Sequence, residues 1–405
     1  TILKLGFVKD VSNKYTLSIG SADKIDYFFD EGINQLKKVG QVKATAAFKR
    51  LLGNIKSKFN VSLGIRLSKN TLDLTVAGDQ LAPEDIQAIL NAYQKKRHYF
   101  MLRNGQMHSL ESPSLEDLDQ IMTNLGLSLK RFVKGKMAIP AYRAFYLEKM
   151  LERRGGLTYT SNDQFKKLIA DLEKGKAKKE TVPASVKTVM RPYQVQGFEW
   201  MSGLLDYNLG GLLADEMGLG KTLQTIAILL SRRNKTNLPS IIIVPASVVY
   251  NWEAEMKKFA PEIETLVLGG DKKQRWAQLK QVKNQVLITS YDSLKRDLEL
   301  YENINFDLEV IDEAQNIKNA KAAVSKAVKV INSDHRIALT GTPIENNLSE
   351  LWSIFDYLMP GFLGEYDYFK NNYEKPIVKE NNEKIENNLS QIIAPFVLRR
   401  LKKDV

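Results

Sequence analysis

The sequence contains no cysteine, and this absence excludes several classes of site. Neither a disulfide framework nor a cysteine-ligated zinc or iron–sulfur centre can form. Histidine is scarce as well: only His98, His108 and His335 occur, and their scatter argues against a histidine-based metal site. No apolar run is long enough to cross a bilayer, so we expect no membrane partner.

The remaining composition is that of ordinary globular domains. Of 405 residues, 43% are hydrophobic and 26% are charged, which suffices for two or three domains. Lysine and arginine total 59 against 47 acidic residues, a net charge of +12. This excess favours contact with nucleic acid, although a solvated lysine-rich surface would give the same number. A reducing, cytoplasmic setting is expected, associated with the nucleoid if the source is bacterial.

The most informative segment is Asp215–Thr222, which reads DEMGLGKT. It follows the apolar run Leu209–Ala214, typical of a buried strand, and precedes apolar residues at helical spacing. A turn built from Gly218, Leu219 and Gly220 lets backbone amides point at a phosphate chain, where the helix N-terminus adds positive charge. The segment therefore predicts a site for a nucleoside triphosphate.

Four side chains would complete the chemistry of that site. Lys221 would reach the β and γ phosphates, and the Thr222 hydroxyl would bind Mg²⁺. Farther along, the apolar strand Leu308–Ile311 ends in two carboxylates. Asp312 would hold Mg²⁺, and Glu313 would position or deprotonate the attacking water. Two independent parts of one phosphate-hydrolysis site thus occur in the same chain.

Residues 186–405 alternate apolar strands with helical patterns, which predicts an α/β domain with a doubly wound parallel sheet. Ligands of such sheets sit at the carboxyl ends of the strands, where the phosphate loop lies. The predicted strands are Leu209–Ala214, Ile241–Val244, Thr265–Leu268, Val286–Thr289, Leu308–Ile311 and Arg336–Thr340.

Residues 1–170 predict a separate α+β accessory domain, joined by a linker at 171–185 that carries the charged run 174–180. Alternating apolar residues on both sides of Lys69-Asn70 predict a β-hairpin. Arg103-Asn104-Gly105 predicts the turn of a second one. The basic runs Lys49-Arg50 and Lys95-Lys96-Arg97 suit either DNA phosphates or a solvated face that docks a partner or restrains the rest of the protein, and we favour docking or regulation. The predicted helices are Ile25–Lys38, Pro83–Gln94, Ser114–Leu125 and Ala141–Arg153.

Further segments stand in a recognisable order around these motifs: Arg191–Trp200, Ile243–Ser247 with Asn251–Trp252, Ile288–Tyr291, Asp312–Gln315, Thr340–Pro343 continuing through Asn346 to Glu350–Trp352, and Pro395–Arg400. Together with DEMGLGKT, they resemble the first RecA-like lobe of the SWI/SNF-type ATPases of helicase superfamily two. Asp215, which stands where the generic loop has glycine, matches that family's own form of the loop. The N-terminal half more loosely resembles the accessory region of bacterial members.

The resemblance implies further roles. Arg191 and Gln194 belong to the adenine-recognition segment, which makes ATP the expected nucleotide, and Asp215 belongs to the nucleotide-binding loop. Thr340 and Thr342 would couple the nucleotide state to the binding of DNA. The residues expected along the phosphate backbone of one strand of double-stranded DNA are Pro245, Ala246, Ser247, Ser290 and Tyr291.

The family's motor has two such lobes, and the second supplies an arginine finger to the ATP site. We expect this chain to be a fragment without that lobe, which hydrolyses ATP poorly alone. The whole motor would be a DNA-dependent ATPase that translocates on duplex DNA and remodels a bound protein that the sequence does not identify. Two alternatives stay open: an RNA-directed helicase of the same superfamily, and a nucleotide-gated binding module without turnover.

Overall fold

The computed structural model describes residues 2–17, 22–46, 48–49, 59–78, 81–103, 107–127, 136–174, 180–341 and 348–405. The chain divides into two compact units. One comprises Thr1–Arg66, Leu72–Ile139 and Met150–Asn162, and the other comprises Leu67–Thr71, Pro140–Lys149 and Asp163–Val405. The domain limits at residues 170 and 185 stay sequence-based predictions beside this division. Within the described ranges, no helix combines the length and apolarity that a membrane span requires.

The N-terminal part of the chain is α+β, as predicted. Its strands are β1 (Val8–Lys9), β2 (Tyr15–Thr16), β3 (Val61–Ser68), β4 (Thr71–Gly78), β5 (Tyr99–Met101), β6 (Met107–Ser109), β7 (Lys136–Pro140) and β8 (Thr158–Ser161). Its helices are α1 (Ala22–Tyr27), α2 (Ile33–Val39), α3 (Pro83–Gln94), α4 (Pro113–Asn124), α5 (Ala144–Leu151) and α6 (Asp163–Lys174). A π-helical turn at Phe28–Gly32 joins α1 to α2, so the predicted helix over this stretch is continuous.

Two hairpins predicted from the sequence are present. Strands β3 and β4 are neighbours in a four-stranded sheet of order β7-β4-β3-β8, and alternate residues of β3 are buried. Strands β5 and β6 pair antiparallel. Several residues of the sequence-based predictions lie outside the described ranges: the turn residues Asn104-Gly105, the linker run 175–179, Arg50 and Thr342.

The C-terminal part continues the strand numbering with β9 (Gly211–Leu213), β10 (Ser240–Val244), β11 (Thr265–Val267), β12 (Val286–Ser290), β13 (Asn305–Ile311), β14 (Asn332–Leu339) and β15 (Val397–Leu398). Its helices are α7 (Ala184–Lys187), α8 (Pro192–Asp206), α9 (Lys221–Arg232), α10 (Val249–Phe259), α11 (Lys272–Lys280), α12 (Tyr291–Arg296), α13 (Ala323–Val330), α14 (Leu348–Leu358), α15 (Tyr366–Phe369), α16 (Lys375–Glu380) and α17 (Glu383–Ile393).

Strands β9 to β15 form one parallel sheet in the order β11-β12-β10-β13-β14-β9-β15. The α/β doubly wound class is therefore confirmed. All of its predicted strands are present, and the two-residue strand β15 was missed because so short a segment carries no periodic signal. Parallel strands bring their carboxyl ends to one edge of the sheet, and this places the phosphate loop after β9 beside the carboxylates after β13.

The core of the sheet is continuous on both faces. Every residue of β10 and β12 is buried, as expected of parallel strands covered by helices on each side. Helix α9 is buried from Leu223 to Leu230, so the helix that starts at the phosphate loop is fixed along most of its length. Packing of this kind gives the start of α9 a rigid position.

An aromatic cluster packs around Phe362, which is fully buried. Its ring centroid lies 5.1 Å from that of Phe396, 5.7 Å from Phe355 and 5.9 Å from Tyr146. Because Phe396 immediately precedes β15, this cluster anchors the strand at the sheet edge.

The change Phe362→Ala should destabilise the second unit by about 3–5 kcal/mol, since it removes a buried ring and leaves a cavity. The change Phe362→Leu should cost less, because it refills most of that volume. Urea unfolding followed by circular dichroism measures both. As a control, Tyr250→Ala at an exposed position (74% accessible) should shift the midpoint little. Equal shifts at both positions would contradict the packing assignment.

Two titratable groups are buried in the sheet. Burial raises the pKa of Glu309 to about 7, although Arg336 and Ser333 oppose the shift by charge and hydrogen bonding. Burial also lowers the pKa of His335 to about 4, and the positive charge of Arg232 adds to this. From pH 4.5 to about 7 the unfolded chain loses the Glu309 proton that the folded protein keeps, so this group's contribution to stability falls as pH rises. From pH about 4 to 6.5 only the unfolded chain protonates His335, so its contribution rises with pH.

The change Glu309→Gln should therefore make the free energy of unfolding rise more steeply with pH between about 5 and 7 than it does in the wild type. The limiting slope difference is about 1.4 kcal/mol per pH unit, the value for one proton. Urea unfolding at a series of pH values measures the slope, and the exposed Glu302→Gln serves as control. Parallel curves for Glu309→Gln and the wild type would rule out the raised pKa.

Candidate active site

The loop between β9 and α9 depends on glycine at two positions. Gly218 has φ +89° and Gly220 has φ +74°, both in the left-handed region that L side chains rarely adopt. At Gly220 a Cβ atom would also lie 2.4 Å from Nε2 of Gln194. The predicted phosphate-binding turn is therefore tightly packed against the segment that starts α8.

That segment braces the loop through its side chains. Gln194 is buried, accepts from the Arg191 backbone amide (2.9 Å) through Oε1, and donates from Nε2 to the Leu219 carbonyl (3.1 Å). The Tyr193 hydroxyl donates to the same carbonyl, also at 3.1 Å. The predicted adenine-recognition residues and the loop thus form one hydrogen-bonded unit.

Asp215 has a different local role from its neighbours in the loop. Its carboxylate is fully buried and accepts from Arg400 Nε (2.9 Å) and Gln224 Nε2 (3.1 Å). Its carbonyl oxygen accepts from Lys221 Nζ at 2.9 Å. The carboxylate is therefore engaged with Arg400, while the backbone of Asp215 holds the lysine.

Lys221 begins α9, with Thr222 half-buried beside it on the first turn. Burial lowers the pKa of Lys221, and the negative charges of Asp312, Glu313 and Asp215 oppose that shift. The two halves of the predicted site are therefore close enough to interact electrostatically. Strand β14 delivers a further backbone segment, since a Cβ atom on Gly341 would lie 3.5 Å from Lys221 Nζ.

Asp312, which follows β13, is held by two aromatic donors. Trp252 Nε1 donates to Asp312 Oδ2 at 2.8 Å, and the Tyr291 hydroxyl donates to the Asp312 carbonyl at 2.7 Å. Burial raises the pKa of Asp312, while the hydrogen bonds from Trp252 and from the Glu313 amide oppose the rise. Glu313 itself has φ +51°, a left-handed conformation that is uncommon for a side chain of this kind.

A relay of hydrogen bonds joins Glu313 to the end of β14. Gln315 Nε2 donates to Glu313 Oε2 (2.6 Å), and the Thr340 hydroxyl donates to Gln315 Oε1 (3.0 Å). The predicted coupling residue Thr340 is therefore one side chain away from the carboxylate proposed to act on water. Its predicted partner in coupling, Thr342, lies outside the described residues.

The five residues predicted to follow DNA lie at the same edge of the sheet but differ in exposure. Ala246 and Ser247 are exposed just after β10, with Pro245 half-buried before them. Ser290 is buried and caps α12 by accepting from the Ser293 amide at 3.2 Å. Tyr291 is buried as well, and its hydroxyl donates to the Asp312 carbonyl. Contact of all five with DNA stays a prediction.

The sequence reasoning assigned no role to three residues of the site: Trp252, Gln315 and Arg400. All three stand inside segments that carried the family resemblance, and that was the available signal. Their roles depend on side-chain contacts with residues far away in the chain, which motif spacing does not specify.

Two known protein families match this chain. The model of the SNF2-related domain matches residues 193–405, more than half of the chain. The model of the bacterial SNF2 helicase-associated domain matches residues 1–183. The chain belongs to the SNF2-related family, and the family predicted from its motifs is confirmed.

Similar proteins include ATP-dependent helicases and a TATA-binding protein-associated factor. An uncharacterized ATP-dependent helicase of Mycoplasma pneumoniae is 34% identical over 343 residues, covering 84% of this chain and 33% of the relative. The TATA-binding protein-associated factor MOT1 of Saccharomyces cerevisiae is 39% identical over 259 residues, covering 58% of this chain and 14% of that protein. The chain thus spans about a third or less of the length of these relatives.

A solved structure of the Sulfolobus solfataricus SWI2/SNF2 ATPase core in complex with dsDNA is 46% identical. The match covers 53% of this chain and 45% of that chain, with a TM-score of 0.48.

The change Trp252→Phe should weaken Mg²⁺-dependent ATP binding by about 10–100-fold, the loss typical when a partner that orients a metal ligand is removed. Without the indole donor, burial should raise the pKa of Asp312 further and favour its neutral form. Titration with a fluorescent ATP analogue at stepped Mg²⁺ concentrations measures the effect. The control Trp352→Phe removes a comparable indole bond, to the Gly364 carbonyl at 3.0 Å. A similar Mg²⁺ response in both variants would refute the assignment.

Proposed function

We propose that this chain supplies the ATP-binding lobe of a DNA-dependent ATPase that moves along double-stranded DNA and remodels protein–DNA complexes. The observation that carries the proposal is the convergence of Lys221, Asp312 and Glu313, from two distant segments, at the carboxyl edge of one parallel sheet. Membership of the SNF2-related family and relatives named ATP-dependent helicases support the use of ATP.

The donor set at this edge fits Mg²⁺ and a triphosphate. Thr222 offers a hydroxyl oxygen and Asp312 a carboxylate, both hard oxygen ligands of the kind Mg²⁺ prefers. Among the described residues, no group of three or more histidine or acidic side chains could hold a metal ion. A Mg²⁺ ion at this edge would be held by one or two protein oxygens and otherwise by phosphate. Bound together, ATP and Mg²⁺ would supply a polarised terminal phosphoryl group.

Different residues of the chain would have different roles in ATP hydrolysis. Lys221, held by the Asp215 carbonyl, places a positive charge where phosphate charge develops. Glu313, oriented by the Gln315 amide, is the group able to orient a water molecule and accept its proton. Tyr291 and Trp252 keep Asp312 in position. A second lobe with its arginine finger would complete the site in the whole protein.

Contact with nucleic acid is proposed on charge and placement. The chain carries a net charge of +12, and the exposed residues Ala246 and Ser247 lie at the same sheet edge as the ATP site. Backbone contacts of this kind read no base sequence, so the choice between DNA and RNA needs an experiment. A cytoplasmic location, associated with the nucleoid if the source is bacterial, is part of the same proposal.

The change Glu313→Gln should lower the rate of ATP hydrolysis by about 10²–10⁴-fold while ATP still binds, since the substitution removes a general base and leaves the phosphate contacts. Hydrolysis is measured for this chain and for a longer polypeptide with a second lobe, each without nucleic acid, with duplex DNA, and with duplex RNA. Stimulation by DNA in the longer protein is the expected result. The control Glu302→Gln changes an exposed acid elsewhere.

Three outcomes would count against the proposal. Stimulation by RNA alone would favour an RNA-directed enzyme. Unchanged turnover in Glu313→Gln would remove the assigned base. Equal DNA-stimulated activity in the short and long proteins would mean that the site needs no second lobe. If DNA binding is electrostatic, the affinity should also fall steeply with salt.

A further inference from the structure

The segment that follows α17 is bound to the nucleotide loop by backbone hydrogen bonds. Strand β15 pairs in parallel with β9, with Val397 opposite Leu212 and Leu398 opposite Leu213. The pairing continues beyond both strands, because the Ala214 amide donates to the Leu398 carbonyl at 2.7 Å. Two residues on, the Glu216 amide donates to the Arg400 carbonyl at 3.0 Å. One flank of the loop is thus an extension of the sheet.

The Arg400 side chain adds a buried polar network to this ladder. Its guanidinium donates to the Asp215 carboxylate from Nε (2.9 Å) and Nη2, to Gln224 Oε1 from Nη2 (2.9 Å), and to the Tyr193 carbonyl from Nη1. It also lies over the Tyr193 ring, 5.2 Å from the centroid. The Asp215 side chain is 0% exposed and that of Arg400 is 11% exposed, so water does not compete effectively for these bonds.

Close packing leaves this network little freedom. A Cβ atom at Gly197 would lie 1.8 Å from Gln224 Oε1 and 2.9 Å from Arg400 Nη2, so the backbone of α8 closes one side of the network. The partners of Arg400 come from the loop, from α9 and from the start of α8, which also braces Leu219 through Gln194. A single guanidinium therefore ties together the three elements that surround the phosphate-binding turn.

A second arginine–aspartate pair at the opposite end of α9 provides an internal comparison. Arg232 donates to Asp307 from Nε and Nη2, both at 2.6 Å, and the side chains are 11% and 4% exposed. This pair matches the Arg400–Asp215 pair in chemistry and burial. It lies at the end of α9 that is away from the phosphate loop. Substitutions in this pair should therefore change the stability of the protein without changing the position of the loop.

We propose that Arg400 is a positioning residue for ATP binding: it fixes Asp215, and through Asp215 the loop backbone that holds Lys221. The inference rests on the proposed function and assigns Asp215 a structural task within it. The Asp215 carboxylate accepts a hydrogen bond from Arg400, and the Asp215 carbonyl accepts one from Lys221.

The test compares ATP affinity and thermal stability across two matched series. One series is Arg400→Gln, Arg400→Lys, Asp215→Asn and the double variant Arg400→Gln/Asp215→Asn. The other is Arg232→Gln and Asp307→Asn. Affinity is measured with a fluorescent ATP analogue and Mg²⁺. Hydrogen exchange of residues 397–402, with and without the analogue, is the second readout.

Arg400→Gln and Asp215→Asn should each weaken ATP binding by about tenfold or more, as expected when a partner that orients a binding group is lost. The double variant should be no weaker than either single one, because both changes break the same contact. The double variant leaves no buried unpaired charge. It therefore still tests the proposal if a single variant fails to fold. Arg400→Lys should bind ATP more tightly than Arg400→Gln but less tightly than the wild type. Lysine keeps the positive charge but lacks the several N–H donors of the guanidinium. In the wild type, the analogue should slow exchange at 397–402, and Arg400→Gln should abolish that protection.

The Arg232 series should melt earlier with ATP affinity within about twofold of the wild type, since distant sites behave independently. Wild-type affinity in the Arg400 double variant, or equal affinity losses in both series, would overturn the positioning role. Failure of the wild-type chain to bind the analogue would instead overturn the proposed function itself, and this inference with it.

Discussion

The common direction of the strands is the constraint on which this structure depends. Strands β9, β10, β12, β13 and β14 all run parallel, so the segments that follow them meet at one edge of the sheet. No single segment could make the site. The loop after β9 brings the lysine, and the turn after β13 brings the two carboxylates. The end of β14 brings the Thr340 hydroxyl, which is linked to Glu313 through Gln315.

Buried ion pairs fix the ends of the central helix within this frame. Arg400 with Asp215 lies at the start of α9, and Arg232 with Asp307 at its end. A buried pair contributes little net stability over a well-packed apolar pair, yet breaking one by removing a partner costs about 3–5 kcal/mol. The main effect of such pairs is therefore to fix the position of α9, and their net contribution to stability is small.

The aromatic residues around Asp312 connect two surfaces of the lobe. Trp252 lies on α10, which follows the exposed residues Ala246 and Ser247, and Tyr291 starts α12 after β12. Both donate hydrogen bonds to Asp312, one to its side chain and one to its main chain. A shift in either helix would therefore change the position of the carboxylate. The two hydrogen bonds thus link the position of Asp312 to the positions of α10 and α12.

The sequence by itself determined the class of the fold, the glycine-containing loop before α9, the carboxylate pair after β13 and the family, because these depend on periodicity and on short motifs whose chemistry is local. It did not determine the partners of Asp215, which the motif placed with the nucleotide and the structure pairs with Arg400. Strand β15, the Trp252 contact and the relay through Gln315 were decided only by the tertiary structure. Each joins residues separated by long stretches of chain, and only the packed sheet brings their side chains within hydrogen-bond distance.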